Sequence, residues 1–297
     1  MKRSTILKQL PIRSTDFVVE IGAGSIPYWN TKLILDKYPF ENVERYGDIR
    51  RSAPVIKADA MKLPLADRSC DVIFLSHVIE HLPDPQKFLS EAKRCAAYVY
   101  LEFPSLHREL MYAWSFHRWF VQIENGQLVF YKNDIPQIFS DFFHTHYDFL
   151  LDSWSEERFE ELNQHVYKST DKLDFRISTK TAFEYLLEQN PQSKIKINYE
   201  TPYGRSGATA VDYPFLTKLK IALWALTPTS VIKTRARLQE KQNQRVHVAL
   251  NDNILARLRC QICLTGSLRW GTTKNELICN NCSHCYKTQS DVFDFDI

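Results

Sequence analysis

Four cysteines, Cys260, Cys263, Cys279 and Cys282, form two C-x2-C pairs with fifteen residues between them. Each pair can present two thiolates from one tight turn, and two such turns complete the tetrahedral all-sulfur set that zinc favours. His284 and Cys285 follow as spare donors, and Cys285 could stand in for Cys282. A second chemical set lies near the start of the chain. Glu20 comes near the end of an apolar run and is followed by Gly22-Ala23-Gly24, where glycines permit positive φ and leave the main chain open to a ligand over the strand end. Asp48, Asp59 and the run Ser76-His77-Val78-Ile79-Glu80-His81 come next. Carboxylates at successive strand ends can accept ribose hydroxyls, and an imidazole beside them can take a proton.

Each feature also has a plainer explanation. A single Gly-x-Gly fits any tight turn between strand and helix. Pro27 stands where a third glycine would be and removes an amide that would face a pyrophosphate, so the loop suits a small zwitterion better than a dinucleotide. Asp48 is equally a solvated turn residue, and His81 equally a hydrogen-bonding residue of a covering loop. His77-x-x-Glu80-His81 also spells the H-x-x-E-H of inverted zinc proteases. That motif needs a helix to gather both histidines on one face, whereas here it starts at a strand end and runs into Leu-Pro-Asp-Pro, so a catalytic metal is discounted.

The elements that must position these residues follow from apolar spacing. Strands are expected over 17–21, 43–49, 53–60, 70–77 and 97–104, with a helix over 29–38 and another that Asp84 caps, running from Pro85 or Gln86 to about Ala96. The crossover between residues 49 and 53 is too short for a helix. Strands alternating with helices predict an α/β, doubly wound, mostly parallel sheet, with ligands beyond the carboxyl ends of its strands. Residues 106–120 have an aromatic-rich helical pattern, and Asn125-Gly126 signals a hairpin leading into 127–131. Helices are expected over 155–166 and 179–188, and closing strands over 173–177 and 194–199.

Taken together, Val18-Val-Glu-Ile-Gly-Ala-Gly24, Asp48, the stretch from Asp59 to Ile73, and Ser76-His-Val-Ile-Glu-His-Leu-Pro-Asp-Pro85 resemble the successive motifs of class I S-adenosylmethionine-dependent methyltransferases of the small-molecule, type 11 kind. The resemblance covers roughly residues 14–105. It implies that Glu20, Gly22, Ala23 and Gly24 hold the methionine part of S-adenosyl-L-methionine. It gives Asp48 and Ile49 to the ribose, Asp59 and the Ala60 amide to the adenine, and Ser76 and His77 to the floor near the sulfonium. His81 and His77 are then the candidate bases for an acceptor that must lose a proton. The segment around the cysteine pairs, with Tyr286 and Asp291-Val-Phe-Asp294, is similar to the small zinc-ribbon domain that activates some methyltransferases, here fused to the enzyme.

The remaining composition sets limits. An apolar share of 44% and a charged share of 25% are ordinary for a folded protein. A net charge of +3 argues against a protein coated all over by nucleic acid. The opening run is interrupted by Lys8 and Gln9 and so does not read as a signal peptide, and the most lipophilic window, 221–226, is far below the ~20 residues of a span. A cytoplasmic protein is expected. The apolar stretch 214–226 and the basic stretch 233–259 suit a packed linker helix or a peripheral contact with an anionic membrane. We therefore expect a methyltransferase domain over 1–212, a linker over 213–256 and a structural Zn2+ ribbon over 257–297. The expected reaction is O-methylation of a small molecule or of a glycan or lipid-linked sugar precursor, with a homodimer among the partners. An RNA methyltransferase that grips its substrate through the ribbon, and a non-catalytic scaffold for a partner protein, are the alternatives.

Overall fold

The computed structural model describes residues 2–41, 45, 47–112, 114–135, 159–189, 238 and 248–296. After a short helix α1 (Arg3–Gln9), strands β1 (Val18–Ile21), β2 (Thr31–Asp36), β3 (Val55–Lys57) and β4 (Cys70–Ser76) lie parallel in the order β3-β2-β1-β4. Helix α2 (Pro85–Cys95) then leads into β5 (Ala96–Pro104), which pairs parallel with β4. The Asp84 side chain accepts the Lys87 amide at 2.9 Å and Pro85 occupies the first turn, as the sequence predicts. All four β1 residues are buried, which fits a strand covered on both faces.

Residues 29–38 are not a helix. Their core, Thr31–Asp36, is β2, and only nine residues separate it from β1, too few for a crossover helix. Leu33 and Leu35 pack into the main core while Ile34 packs into a separate cluster with Ala23, Ile49, Ala53 and Val55. That two-residue alternation is the signature of a strand buried on both sides. The expected second strand over 43–49 gives way accordingly: Arg45 and 47–49 belong to no strand, and the acid at the end of the second strand is Asp36, not Asp48. The face that a first crossover helix would cover is filled otherwise. Tyr28 stacks on Phe74 at 4.6 Å and Phe74 on Tyr100 at 4.5 Å, with Ile12 and, from the α1 segment, Leu7 and Leu10 against them.

Beyond β5 come α3 (Leu106–Tyr112), the hairpin β6 (Trp119–Glu124) and β7 (Gln127–Lys132), α4 (Phe159–Leu162), β8 (Asn163–Ser169), β9 (Phe175–Thr181) and α5 (Ala182–Gln189). Asn125 and Gly126 have φ of 50° and 80°, the conformation that a two-residue hairpin turn requires. Residues 163–166, expected to be helical, are strand; β8 runs antiparallel along β5 at the sheet edge. The expected strand over 173–177 exists as β9 but joins β6 and β7 in a separate three-stranded sheet. The strand expected over 194–199 and the helix over 214–226 lie outside the described residues, as does most of the basic stretch. Among the described residues, no helix is long and apolar enough to cross a membrane.

The cysteine-bearing segment is docked on this sheet. Helix α6 (Asp252–Leu255) precedes strands β10 (Leu268–Trp270), β11 (Glu276–Cys279), β12 (Cys285–Gln289) and β13 (Val292–Asp294). The four strands form an antiparallel meander, and β13 then pairs parallel with β3, making one ten-stranded sheet. Leu258, Cys260, Leu277, Tyr286, Phe293 and Phe295 are buried in the same apolar cluster as Leu33, Ile56 and Leu63. Arg257 lies 4.1 Å over the Phe17 ring, and Lys57 pairs with Asp294 at 2.9 Å. Apolar burial of this kind is the main stabilising term of such a contact.

Candidate functional site

The parallel order brings the carboxyl ends of β3, β2, β1 and β4 side by side, and the candidate residues follow those ends. After β1, Gly22 and Gly24 have φ of 62° and 59°, a region that favours glycine. A Cβ on Gly22 would stand 2.6 Å from a Val78 methyl, so the glycine is required for close packing of the loop against the turn after β4. A Cβ on Gly24 would meet nothing within 4 Å, so that backbone faces open space where a ligand can approach.

Glu20 fastens this loop. Its carboxylate accepts the Tyr28 amide at 2.8 Å and the Thr31 hydroxyl, tying both ends of the β1–β2 connection together. Burial pushes the Glu20 carboxyl up to about 7, against the Thr31 hydroxyl, the Tyr28 amide and Arg3, which favour the charged form. The folded protein thus holds this proton more tightly than an unfolded chain with its ordinary value of 4.5. Its contribution to stability is full below about pH 4.5 and declines as pH rises to about 7, by about 3 kcal/mol in all. Glu20→Gln keeps the acceptor oxygen and cannot ionise, so urea melts across that window should show a flatter pH slope than wild type. An unchanged slope would contradict the assignment.

At the end of β2, Asp36 is buried and accepts the Tyr38 amide at 2.7 Å and Arg45 Nη1 at 3.0 Å. Burial raises its carboxyl above the usual range, opposed by Arg45 and by the Tyr38 amide. After β3, Asp59 accepts the Met61 amide at 2.8 Å and Lys37 Nζ at 2.7 Å, with Ala60 buried beside it. Ile49 is buried against Ala23, whereas Asp48 is half-buried on the connection between β2 and β3.

The β4 end carries the densest electrostatics. Ser76 Oγ donates to Glu102 Oε1 at 2.8 Å and accepts from Arg3 Nη2 at 3.1 Å. Arg3 Nε pairs with Glu102 at 2.9 Å. His77 has φ of 54°, sparsely populated for a side chain of its size, and its amide is pinned to the Glu102 carbonyl at 2.8 Å. Its Nδ1 lies 3.2 Å from Glu80 Oε1 and its Nε2 3.4 Å from Glu102 Oε1 and 3.1 Å from Arg108 Nη1. Burial and the Arg108 guanidinium pull the imidazole down, but the two carboxylates outweigh them and hold it above its ordinary value. His81 occupies the one-turn 3-10 helix Ile79–His81 and stacks on Phe116 at 5.3 Å.

Four of these partners escape a reading by motif. Asp36 was legible as an acid closing the run Leu33-Ile34-Leu35, and Glu102 as a charge inside an otherwise apolar strand. Arg108 stands in the aromatic stretch 106–120, whose His and Arg residues suit a sugar or phosphorylated acceptor, but its contact with His77 had no local signal, and Arg3 had none at all, because both contacts arise only through tertiary folding.

The cysteine pairs converge. Cys260 Sγ and Cys282 Sγ are 3.6 Å apart, as are Cys263 Sγ and Cys279 Sγ, and one sulfur from each of the four lies within 4.8 Å of the others. Sulfurs around a tetrahedral zinc with ~2.3 Å bonds would be separated by about 3.8 Å, so the thiols fit that ion. Leu264 and Ser283, each following the second cysteine of a pair, have φ of 62° and 58°, which gives the two knuckles the same turn. The Ile262 and Asn281 amides donate to Cys260 Sγ at 3.4 Å and Cys279 Sγ at 3.3 Å. A Cβ on Gly266 would stand 2.2 Å from Cys279 Sγ, so glycine is needed there. Cys285 opens β12 and lies outside the cluster, whose fourth thiol is that of Cys282.

Residues 35–97 match the family model described as a methyltransferase domain. Solved structures similar to this chain include a SAM-dependent methyltransferase from Aquifex aeolicus, at 24% identity over 34% of this chain and 63% of that one, with a TM-score of 0.27. Another is a SAM-dependent methyltransferase from Thermotoga maritima, at 27% identity over 34% of this chain and 49% of that one, with a TM-score of 0.29. A third is a complex of the Haloferax volcanii Trm112 methyltransferase activator with a methyltransferase, at 20% identity over 34% of this chain and 50% of that one, with a TM-score of 0.27. The chain thus spans about half to two thirds of the length of these structures. No curated protein matches it. The family match thus runs from the end of β2 through α2, the stretch that follows the glycine loop after β1 and holds the strand-end residues Asp36, Asp59 and Ser76, and within it this chain is similar to methyltransferase domains.

Proposed function

We propose that the chain transfers the methyl group of S-adenosyl-L-methionine to an oxygen of a small molecule, or of a sugar in a glycan or lipid-linked precursor. The observation that carries this is the alignment of the Glu20-anchored glycine loop, Asp36, Asp59 and Ser76-His77 along four neighbouring strand ends. In this reading the loop from Gly22 to Gly24 holds the methionine part, Asp36 rather than Asp48 takes the ribose hydroxyls, and Asp59 with the Ala60 amide meets the adenine. The cofactor supplies the electrophilic methyl. The protein's share is to position it and exclude water, and to accept a proton where the acceptor is a hydroxyl.

His77 serves as that base. It stands at the β4 end with carboxylates near both ring nitrogens, which raise its affinity for a proton. The acceptor class is supported by the rings after β5. Tyr112 stacks on Trp114 at 5.7 Å, Trp114 meets Phe116 at 5.0 Å, and Phe116 lies against His81. Tyr112 is buried, whereas the partly exposed Trp114 and Phe116 offer aromatic surface beside a polar edge, which suits a sugar or a ring-bearing acceptor. In this reading the four thiolates hold a structural Zn2+, and the segment that carries them extends the sheet at β3.

Calorimetry with S-adenosylhomocysteine should show one site per chain, with a Kd in the micromolar range. Absence of binding heat across temperature would refute the cofactor assignment. Radiolabelled methyl transfer to a panel of sugar, phenol and RNA acceptors then tests the acceptor class, and transfer confined to RNA would refute it.

A further inference from the structure

We propose that Glu80, His81 and His117 form a second metal centre, distinct from the four thiolates, for one divalent first-row transition-metal ion. One ligand atom from each of the three lies within 4.8 Å of the others, with Glu80 and His117 buried and His81 half-buried. The sequence could not supply this set, because Glu80 and His81 occupy a single turn and the third donor arrives from 36 positions further on. Tertiary hydrogen bonds fix that arrival. The Arg118 amide donates to the Glu80 carbonyl at 2.8 Å, Trp119 Nε1 donates to the Leu82 carbonyl at 2.7 Å, and Asn133 Nδ2 donates to the His117 carbonyl at 3.0 Å.

The hydrogen bonds of His117 and Glu80 leave a ring nitrogen of the one and a carboxylate oxygen of the other for an ion. His117 Nδ1 is engaged by Glu109 Oε1 at 2.5 Å, leaving Nε2 as the coordinating nitrogen. A carboxylate behind an imidazole is the usual device for fixing the tautomer and orientation of a metal-bound histidine. Glu80 uses Oε1 for His77, while Oε2 is buried with no hydrogen-bond partner, and Glu109 Oε2 is in the same condition. A buried carboxylate oxygen without a partner carries a large desolvation cost, which a cation offsets directly. Phe116 stacked on His81 supplies an apolar wall.

Two imidazoles and one carboxylate select Mn2+, Fe2+, Co2+, Ni2+ or Zn2+ over Ca2+ or Mg2+. Three protein ligands leave coordination positions for water or for an oxygen of the acceptor. On the methyltransferase reading, this centre holds a hydroxyl-bearing acceptor beside His77; the metal site itself does not depend on that reading.

The test is a Co2+ titration of the full chain, isolated with zinc in the cysteine site and followed by visible absorption. One further equivalent should bind, with the d–d bands of nitrogen and oxygen ligands and no added sulfur-to-metal absorption. His117→Ala and His81→Ala should each weaken that binding at least tenfold. Glu109→Gln, a positioning variant, should weaken it ~10-fold or more while leaving the band positions unchanged. Calorimetry with S-adenosylhomocysteine and zinc content report separately on folding and on the cofactor site, so failure here is distinguishable from failure of the cofactor assignment. Because His117 is buried and its loss could unfold the loop, the half-exposed His81 variant provides the second arm. No Co2+ bands from the zinc-loaded protein, or bands that persist at wild-type affinity in a folded His81→Ala protein, would overturn the proposal.

Discussion

Cys260→Ser should cost the whole chain its stability, not the ribbon alone. Cys260 is fully buried, touches Cys282 and the Tyr286 hydroxyl, and belongs to the same apolar cluster as β2 and β3. On the proposal that the four thiolates hold zinc, removing one of them costs the knuckles their tetrahedral ion, and a segment this small has too little core of its own to persist without it. Losing such a metal site exceeds the usual range of single substitutions, at more than about 4 kcal/mol. For a chain of this size that corresponds to a Tm lower by roughly 10 °C or more. Cofactor affinity should fall in parallel, since Asp59 follows the strand that the ribbon covers. Differential scanning calorimetry and S-adenosylhomocysteine binding measure both. A two-step melt, in which the ribbon unfolds early and binding survives, would show that the shared sheet does not couple the two parts.

Asp36→Asn is expected to weaken cofactor binding about 100-fold while Asp48→Asn changes it by less than about threefold. Asp36 already accepts the Tyr38 amide on one oxygen and Arg45 on the other, and each carboxylate oxygen keeps a further lone pair for a ribose hydroxyl. Two hydrogen bonds to a charged acceptor contribute about 3 kcal/mol together, which is roughly two orders of magnitude in affinity. The asparagine is isosteric and still accepts the Tyr38 amide, so thermal melting can show whether the fold is kept. The reverse ranking, with Asp48→Asn the damaging change, would return the ribose to the position that the sequence alone suggested.

That contrast shows where the sequence was readable. Strands β4 and β5, the capped helix between them and the Asn125-Gly126 hairpin are all marked by local chemistry, namely apolar runs broken only by Asp71 and Glu102, Asp84 before Pro85, and a residue pair that tolerates positive φ. The cysteine spacing likewise carried its geometry in the chain itself. The first crossover was not readable, because Leu33-Ile34-Leu35 is too short a run to separate helix from strand by period, and the expectation of a helix after a glycine turn decided it wrongly. What excludes the helix is the covering of that face by Tyr28 and α1, a tertiary fact. Glu102, Arg3, Arg108 and His117 are remote in the chain from the motifs they serve, and distance of that kind leaves no periodic trace.

The pairing of β13 with β3 joins positions 237 residues apart, as the Lys57–Asp294 pair records. During synthesis on the ribosome, β3 therefore emerges long before its neighbour exists, and its outer row of amides and carbonyls must wait as a bare sheet margin. A nascent chain would therefore carry an edge open to other chains until the cysteine-bearing segment folds onto it.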